Sequence, residues 1–279
     1  MRLNGRTALV TGATSGIGAE TALGLARLGA RVGLVGRDPG RTEAAAARLR
    51  RETGGAAEVF VADLSSQAEI RRLADAVKER CPALDILVNN AGAIFSERSL
   101  TADGIERTWA LDHLAYVLLT HELRGAFAPQ ARIVNLASAA HTRGTIDFDD
   151  LGGERRYGAM KAYAQAKLGN VLFTYALARR LAGSGITVNA VHPGVVASDF
   201  AKNTHGVLGL AWSLIRPFLI SPADGARTSL HVATAPELEG MSGRYFAKSR
   251  ETKSSARSRD EALQERVWTL SRRQVGIEG

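Results

Sequence analysis

A chain of 279 residues, 45% hydrophobic and 23% charged, carries enough apolar material for one substantial α/β core and is too balanced for a disordered segment. Its 36 basic against 28 acidic residues, a formal net charge of +8, raise the question of nucleic acid. The Arg and Lys residues are scattered over several helical segments without a stacking-aromatic motif, so solvated basic faces, and no nucleic-acid partner, are expected. The single cysteine, Cys81, excludes an intrachain disulfide and reads as a small packed or loop-edge residue. No stretch reaches the roughly 20 apolar residues of a membrane span, and nothing at the start resembles a secretory signal, so the cytoplasm is the expected location.

Short β-rich runs alternate with longer helical stretches. Strands are predicted at 7–11, 31–35, 58–61, 86–89, 132–136, 187–192 and 243–246, and helices at 18–28, 42–52, 66–80, 104–123, 157–181 and 223–233. Several strands are continuous apolar runs, as in a parallel sheet covered on both faces. The expected fold is a single-domain α/β Rossmann-type doubly wound parallel sheet with helices on both faces, over residues 1–250. Residues 251–279 read as a polar, peripheral C-terminal tail ending in a charged helix.

The first strand runs into Thr11-Gly12-Ala13-Thr14-Ser15-Gly16-Ile17-Gly18, after which a helix begins. Glycines let the backbone turn sharply and approach a pyrophosphate, and the helix directs its free N–H groups and positive dipole end at that anion. The spacing is wider than the common G-x-G-x-x-G, but strand before and helix after support a dinucleotide site. The second strand ends at Gly36-Arg37. An NAD-binding site would carry a carboxylate at about this strand end, whereas Arg37 offers a charged fork for a 2′-phosphate, so NADP(H) is preferred to NAD(H). The alternative is a solvated Arg37 beside Asp38. Asp63-Leu64 follows the third strand, where a carboxylate could accept the adenine amino group. Asn89-Asn90-Ala91-Gly92 closes the fourth strand at the carboxyl edge, as a floor under the nucleotide or merely a tight turn.

The fifth strand leads to Ser138, and the long helix after it carries Tyr163 and Lys167, four apart and on one face. A nearby ammonium is expected to lower the phenol's pKa from its reference of ~10. Tyr163 could then exchange a proton with substrate while hydride moves at a nicotinamide, with Ser138 bonding the substrate oxygen and Lys167 the nicotinamide ribose. His113, His141 and His192 lack metal-ligand spacing and read as satisfied or loop histidines, with no metal. The apolar segment 207–220, inside a stretch at about 200–222, reads as a lid over an apolar substrate pocket; a packed helix or a membrane-surface contact are the alternatives.

With glycine-rich turn, Asn-Asn-Ala-Gly, upstream serine and Tyr-x-x-x-Lys in this order, the chain resembles the short-chain dehydrogenase/reductase family from about residue 7 to about residue 246. The resemblance implies Ser138, Tyr163 and Lys167 as the catalytic set. It implies Gly12, Ser15, Ile17 and Gly18 around the diphosphate, Asp63 and Leu64 at adenine, and Asn90 near the nicotinamide ribose. His192-Pro193-Gly194-Val195-Val196-Ala197-Ser198 looks like the family's carboxamide-holding segment, acting through Val196 and the Ser198 hydroxyl. The segments 133–141, 177–181 and 191–194 look like the retinol-dehydrogenase-like branch, which implies lipophilic alcohols, aldehydes or ketones as substrates. Many family members pair the two long helices between subunits, implying a homodimer or homotetramer.

Two positions depart from the family. Asp112 stands where an asparagine usually supports a water-linked proton path to the lysine, and it either pairs with Lys167 and alters the tyrosine's pKa or acts by its backbone carbonyl alone. Ala166 replaces a common serine. The rival reading is a non-catalytic NADP(H)-binding sensor; such proteins typically lose the Tyr/Lys pair, which this chain keeps.

Overall fold

The computed structural model describes residues 2–194 and 220–277. The apolar runs become seven parallel strands: β1 (Thr7–Thr11), β2 (Arg31–Gly36), β3 (Ala57–Val61), β4 (Leu84–Asn89), β5 (Phe127–Leu136), β6 (Thr187–His192) and β7 (Tyr245–Ala247). A short β8 (Arg250–Glu251) adds antiparallel at the edge, giving the order β3-β2-β1-β4-β5-β6-β7-β8. Ala8, Leu9 and Val10 of central β1 are at most 1% exposed, which explains why this strand shows no polar alternation: both its faces are covered.

Helices α1 (Gly16–Arg27), α2 (Pro39–Thr53) and α7 (Pro222–Thr234) contribute to the apolar layer on one face through Leu23, Leu25, Ala46, Leu49 and Val232. The other layer is filled from α3 (Gln67–Arg80), α5 (Ala115–Glu122), α6 (Ala159–Arg180) and α8 (Glu261–Gln274). This is the doubly wound α/β sheet expected from the alternation. Its connectivity reverses between β1 and β4, so the loops after those strands part and leave a crevice at the carboxyl edge. Cys81 is packed in the second layer.

The structure revises two local expectations. The helix read at 104–123 is interrupted: α4 (Arg107–Trp109) gives way to a π-helical turn (Ala110–Leu114) before α5. The wider turn carries the buried polar residues Asp112 and His113 towards partners on α6, a common setting for π-bulges. The terminal helix is not peripheral. Val267, Val275 and Ile277 belong to the main core, and Trp268 stacks on Phe173 of α6 with ring centroids 5.6 Å apart. Glu265 pairs with Arg179 and Arg180 of the same helix. Part of α6, one of the two helices expected to pair between subunits, is thus covered by the chain's own α8.

Candidate active site

The crevice between β1 and β4 is closed at its base by hydrogen bonds between the two loops. Thr11 Oγ1 accepts the Asn90 and Ala91 N–H groups at 2.8 and 3.0 Å, and Asn90 Nδ2 donates to the Thr11 and Gly12 carbonyls at 2.7 and 3.3 Å. The loops are drawn so close that a Cβ on Gly12, whose φ is +65°, would lie 2.9 Å from Ala91 Cα. One on Gly18 would lie 2.3 Å from the Gly12 carbonyl oxygen. Asn90 therefore shapes the glycine turn, a role the sequence left unread.

Above this base, the start of α1 is left unspent. Ser15 occupies the N-cap without a side-chain cap bond, and no acidic residue stands in the first turn. By contrast α2, α3, α7 and α8 are capped by Asp38, Ser66, Ser221 and Asp260. Free N–H groups over a turn that tolerates no side chain fit a pyrophosphate. At the end of β2, a Cβ on Gly36 would fall 2.3 Å from both Thr14 Cγ2 and Thr42 Oγ1, so packing excludes a carboxylate there. Asp38 is committed to capping α2, accepting from the Arg41 N–H at 2.7 Å, and among the described residues no carboxylate pairs with exposed Arg37. A cleft of about 520 Å³ between α1 and α2 is lined by Thr14, Ser15, Gly16 and Arg41; Arg41 was missed as a basic neighbour of this end. Asp63 Oδ1 accepts from the Ser65 N–H and hydroxyl at 2.9 and 2.7 Å, which fixes that carboxylate beside buried Leu64.

Ser138, Tyr163 and Lys167 come together at the same edge. Ser138 lies two residues beyond β5 and caps the 3-10 turn Ala139–Arg143. Its side chain stands close enough to the phenol of Tyr163, which is 8% exposed, to pull that phenol's pKa down. Lys167 Nζ sits 5.4 Å from the Tyr163 ring centroid and 3.0 Å from Asp112 Oδ2, with both members of the ion pair buried. Asp112 Oδ1 accepts the Ala93 N–H at 2.8 Å. Space for the pair comes from Gly92, where a Cβ would lie 2.8 Å from Asp112 Oδ2 and 3.1 Å from Lys167 Nζ. Tyr116 donates its hydroxyl to the Ala91 carbonyl at 2.9 Å and braces the same loop.

The electrostatics correct one expectation. Burial pushes the Tyr163 phenol up from its ordinary value, Ser138 pulls it partly back, and the Asp112 carboxylate pushes it further up. The lowering expected from Lys167 does not prevail because burial of the phenol dominates, and Asp112 pairs with that ammonium at 3.0 Å. Asp112 itself is raised by burial, against the opposing pull of Lys167 and the Ala93 N–H. Of the two options the sequence offered for Asp112, the side chain takes the ion pair; its backbone carbonyl is engaged by Asn170 Nδ2 at 2.8 Å.

The three histidines are hydrogen-bonded in place. His141 Nδ1 lies 2.7 Å from the Ser138 carbonyl oxygen while its Nε2 accepts the Ser255 N–H at 3.1 Å. His192 Nδ1 accepts the Ala139 N–H at 3.2 Å, so the peptide that follows Ser138 is held at both its carbonyl and its N–H. Pro193 and Gly194 follow β6, and Gly194 has φ +96°, open to glycine without strain. Val196, Ser198 and almost all of the segment read as a lid lie outside the described residues.

A glycine-bridged crevice at the switch point of a doubly wound sheet, with a tyrosine, a lysine and a serine at its rim, has the architecture of a dinucleotide-binding protein. The short chain dehydrogenase family pattern matches residues 6–206, and the chain belongs to that family. It is 43% identical to retinol dehydrogenase 12 of Mus musculus over 282 residues, covering 100% of this chain and 89% of that protein. It is 38% identical to retinol dehydrogenase 14 of Homo sapiens over 299 residues, covering 99% and 88%. These relatives put it in the retinol-dehydrogenase-like branch. Among solved structures it resembles an uncharacterized protein from Mycobacterium Paratuberculosis, with TM-score 0.80, 34% identity and coverage of 99% and 96%. It also resembles a short chain dehydrogenase from Burkholderia cenocepacia in complex with NADP, with TM-score 0.72, 30% identity and coverage of 88% and 97%.

Proposed function

We propose that the chain is an NADP(H)-dependent oxidoreductase acting on a lipophilic alcohol and the corresponding aldehyde or ketone. The observation that carries this reading is the convergence of Ser138, Tyr163 and Lys167 beside a turn whose glycines admit no side chain. The retinol dehydrogenase relatives support the substrate class, and the Burkholderia NADP complex supports the cofactor.

When bound, the nicotinamide supplies or takes the hydride. Tyr163 gives its proton to the substrate oxygen in reduction and takes it in oxidation. Ser138 holds that oxygen by a hydrogen bond, and Lys167, anchored by Asp112, holds the nicotinamide ribose. Gly12, Thr14, Ser15, Gly16, Ile17 and Gly18 receive the diphosphate, Asp63 and Leu64 the adenine, and Asn90, Ala91 and Gly92 form the floor. Pro193 and Gly194, at the end of β6, open the segment proposed for the carboxamide; its Val196 and Ser198, and nearly all of the stretch proposed as a lid at about 200–222, lie outside the described residues. Retention of Tyr163 and Lys167 weighs against a non-catalytic sensor. On this reading the chain works in the cytoplasm; among the described residues no helix is long and apolar enough to cross a membrane. A homodimer or homotetramer would have to use surface other than the part of α6 that α8 covers.

The test is oxidation of NADPH in the presence of a panel of hydrophobic aldehydes and ketones. Turnover with medium- to long-chain carbonyls is expected; no turnover with any member overturns the reading. For the cofactor, Arg37→Ala is expected to raise KM for NADPH about fivefold and leave KM for NADH unchanged, the loss of an exposed charge-assisted contact. An unchanged NADPH/NADH ratio removes Arg37 from this role.

A further inference from the structure

Three buried polar groups connect the terminal helix α8 to the Asp112–Lys167 pair, and nothing in the reaction scheme uses them. Ser271 on α8 is 1% exposed, and His113 and Asn170 are fully buried. Their hydrogen bonds can run in one direction only. Asn170 Nδ2 lies 2.8 Å from the Asp112 carbonyl oxygen and 3.0 Å from that of Leu136; both are acceptors, so the amide NH2 group must face them. The amide oxygen then faces His113 Nδ1 at 3.0 Å, and that nitrogen must carry a proton. Burial, outweighing the Asn170 bond that favours the charged form, holds the imidazole neutral with its pKa pulled down to about 4. His113 Nε2 therefore offers a lone pair to the Ser271 hydroxyl at 2.8 Å.

The surroundings are cut to this chain of bonds. A Cβ on Gly169 would stand 2.9 Å from His113 Nδ1, so glycine beside Asn170 makes room for the ring. Trp109 lies against the imidazole with centroids 4.2 Å apart, and its Nε1–H donates to Gln274 at 2.9 Å, a second tie to α8 from the residue before the π-turn. The chain ends on two carbonyls with consequences: that of Asp112, whose carboxylate holds Lys167 at 3.0 Å, and that of Leu136, two residues before Ser138. An apolar filling of the same volume would avoid desolvating three polar groups, and a fully satisfied polar chain instead sets one geometry.

We propose that Ser271, His113 and Asn170 are positioning residues for the reaction: through them the terminal helix holds Asp112 and the end of β5, and so keeps Lys167 and Ser138 in place around Tyr163. The proposal rests on the oxidoreductase reading above. Its test uses the full chain and compares Ser271→Ala, which removes the hydroxyl donor, with Ser271→Thr, which keeps one. The readouts are steady-state kinetics with NADPH and a carbonyl substrate, and the carbon-13 signal of the Asp112 carboxyl followed through a pH titration. Ser271→Ala is expected to lower kcat about fivefold with KM for NADPH within about twofold, and to move the Asp112 titration, while Ser271→Thr restores both. An Asp112 signal and kcat unmoved in Ser271→Ala overturn the proposal, and so does equal impairment in the Thr variant, which would reveal a packing defect. A native chain that turns over no carbonyl compound fails the oxidoreductase reading separately; the Asp112 signal then decides alone whether α8 holds that residue.

Discussion

Tyr163→Phe is expected to lower kcat by about 10² to 10⁴-fold while leaving the dissociation constant for NADPH within about threefold. The ring and its volume remain, so the contacts that seat α6 in the core persist. What is removed is the one phenol that Ser138 meets at the crevice. Among the described residues the nearby histidines are not ready to replace it as proton donor: His141 and His192 spend their Nδ1 atoms on the backbone around Ser138, and burial holds both neutral. Because burial keeps the phenol protonated beyond its ordinary range, the native chain presents an acid through neutral and mildly alkaline pH. On the proposed reading this protonated phenol is the form that carbonyl reduction uses. Stopped-flow reduction of an aldehyde, with NADPH affinity measured separately by fluorescence, checks the expectation. A Phe variant keeping more than about a tenth of native kcat would show that the proton comes from elsewhere.

The parts of this site that were legible in the sequence are those written in local spacing. A strand, a glycine-rich turn and a helix start occupy consecutive residues, and Tyr163 and Lys167 share a face because they are four apart on one helix. Asn90 was read as part of a floor, but its bonds to Thr11 and Gly12 cross between two strands and leave no local trace. Gly36 read as a vacated acidic position; the physical reason for it, the approach of Thr14 and Thr42, lies in segments on either side. The sign of the Tyr163 shift was misjudged for a similar reason. Spacing puts the ammonium near the phenol but cannot show how deeply the fold buries that phenol, nor that a carboxylate from another segment pairs with the ammonium.

The terminal helix was misjudged through its average. Its many charged residues mark it as polar, yet Leu263, Val267 and Ser271 recur at intervals of four on one face, and Val275 continues the stripe just past the end. That stripe was present in the sequence and was outweighed by composition. The His113 to Asn170 contact, by contrast, spans 57 residues and depends on the π-turn, which no local pattern announces.

Replacing Asp112 by asparagine isolates what the carboxylate does to Tyr163, since the amide has nearly the same shape and no charge. In the native chain the Asp112 charge raises the phenol directly and cancels the ammonium 3.0 Å away. Asp112→Asn removes both effects, so the phenolate gains the field of Lys167 and the Tyr163 pKa falls, by about one unit for a partly compensated charge at this range. Alcohol oxidation needs the phenolate as base, and its rise with pH should begin about one unit lower in the variant. Carbonyl reduction needs the phenol, and its alkaline decline should begin earlier by the same amount. Stability follows from the Asp112 carboxyl itself, which burial raises in the folded chain. A raised carboxyl lends stability that is complete below the usual carboxylate range and declines as pH rises through the folded value. The variant lacks this titration, so its stability relative to the native chain should improve from acid to neutral pH in urea melts. Superimposable pH–rate profiles in both directions would show that the carboxylate leaves Tyr163 unaffected, and a stability difference falling with pH would show that the Lys167 attraction outweighs burial at Asp112.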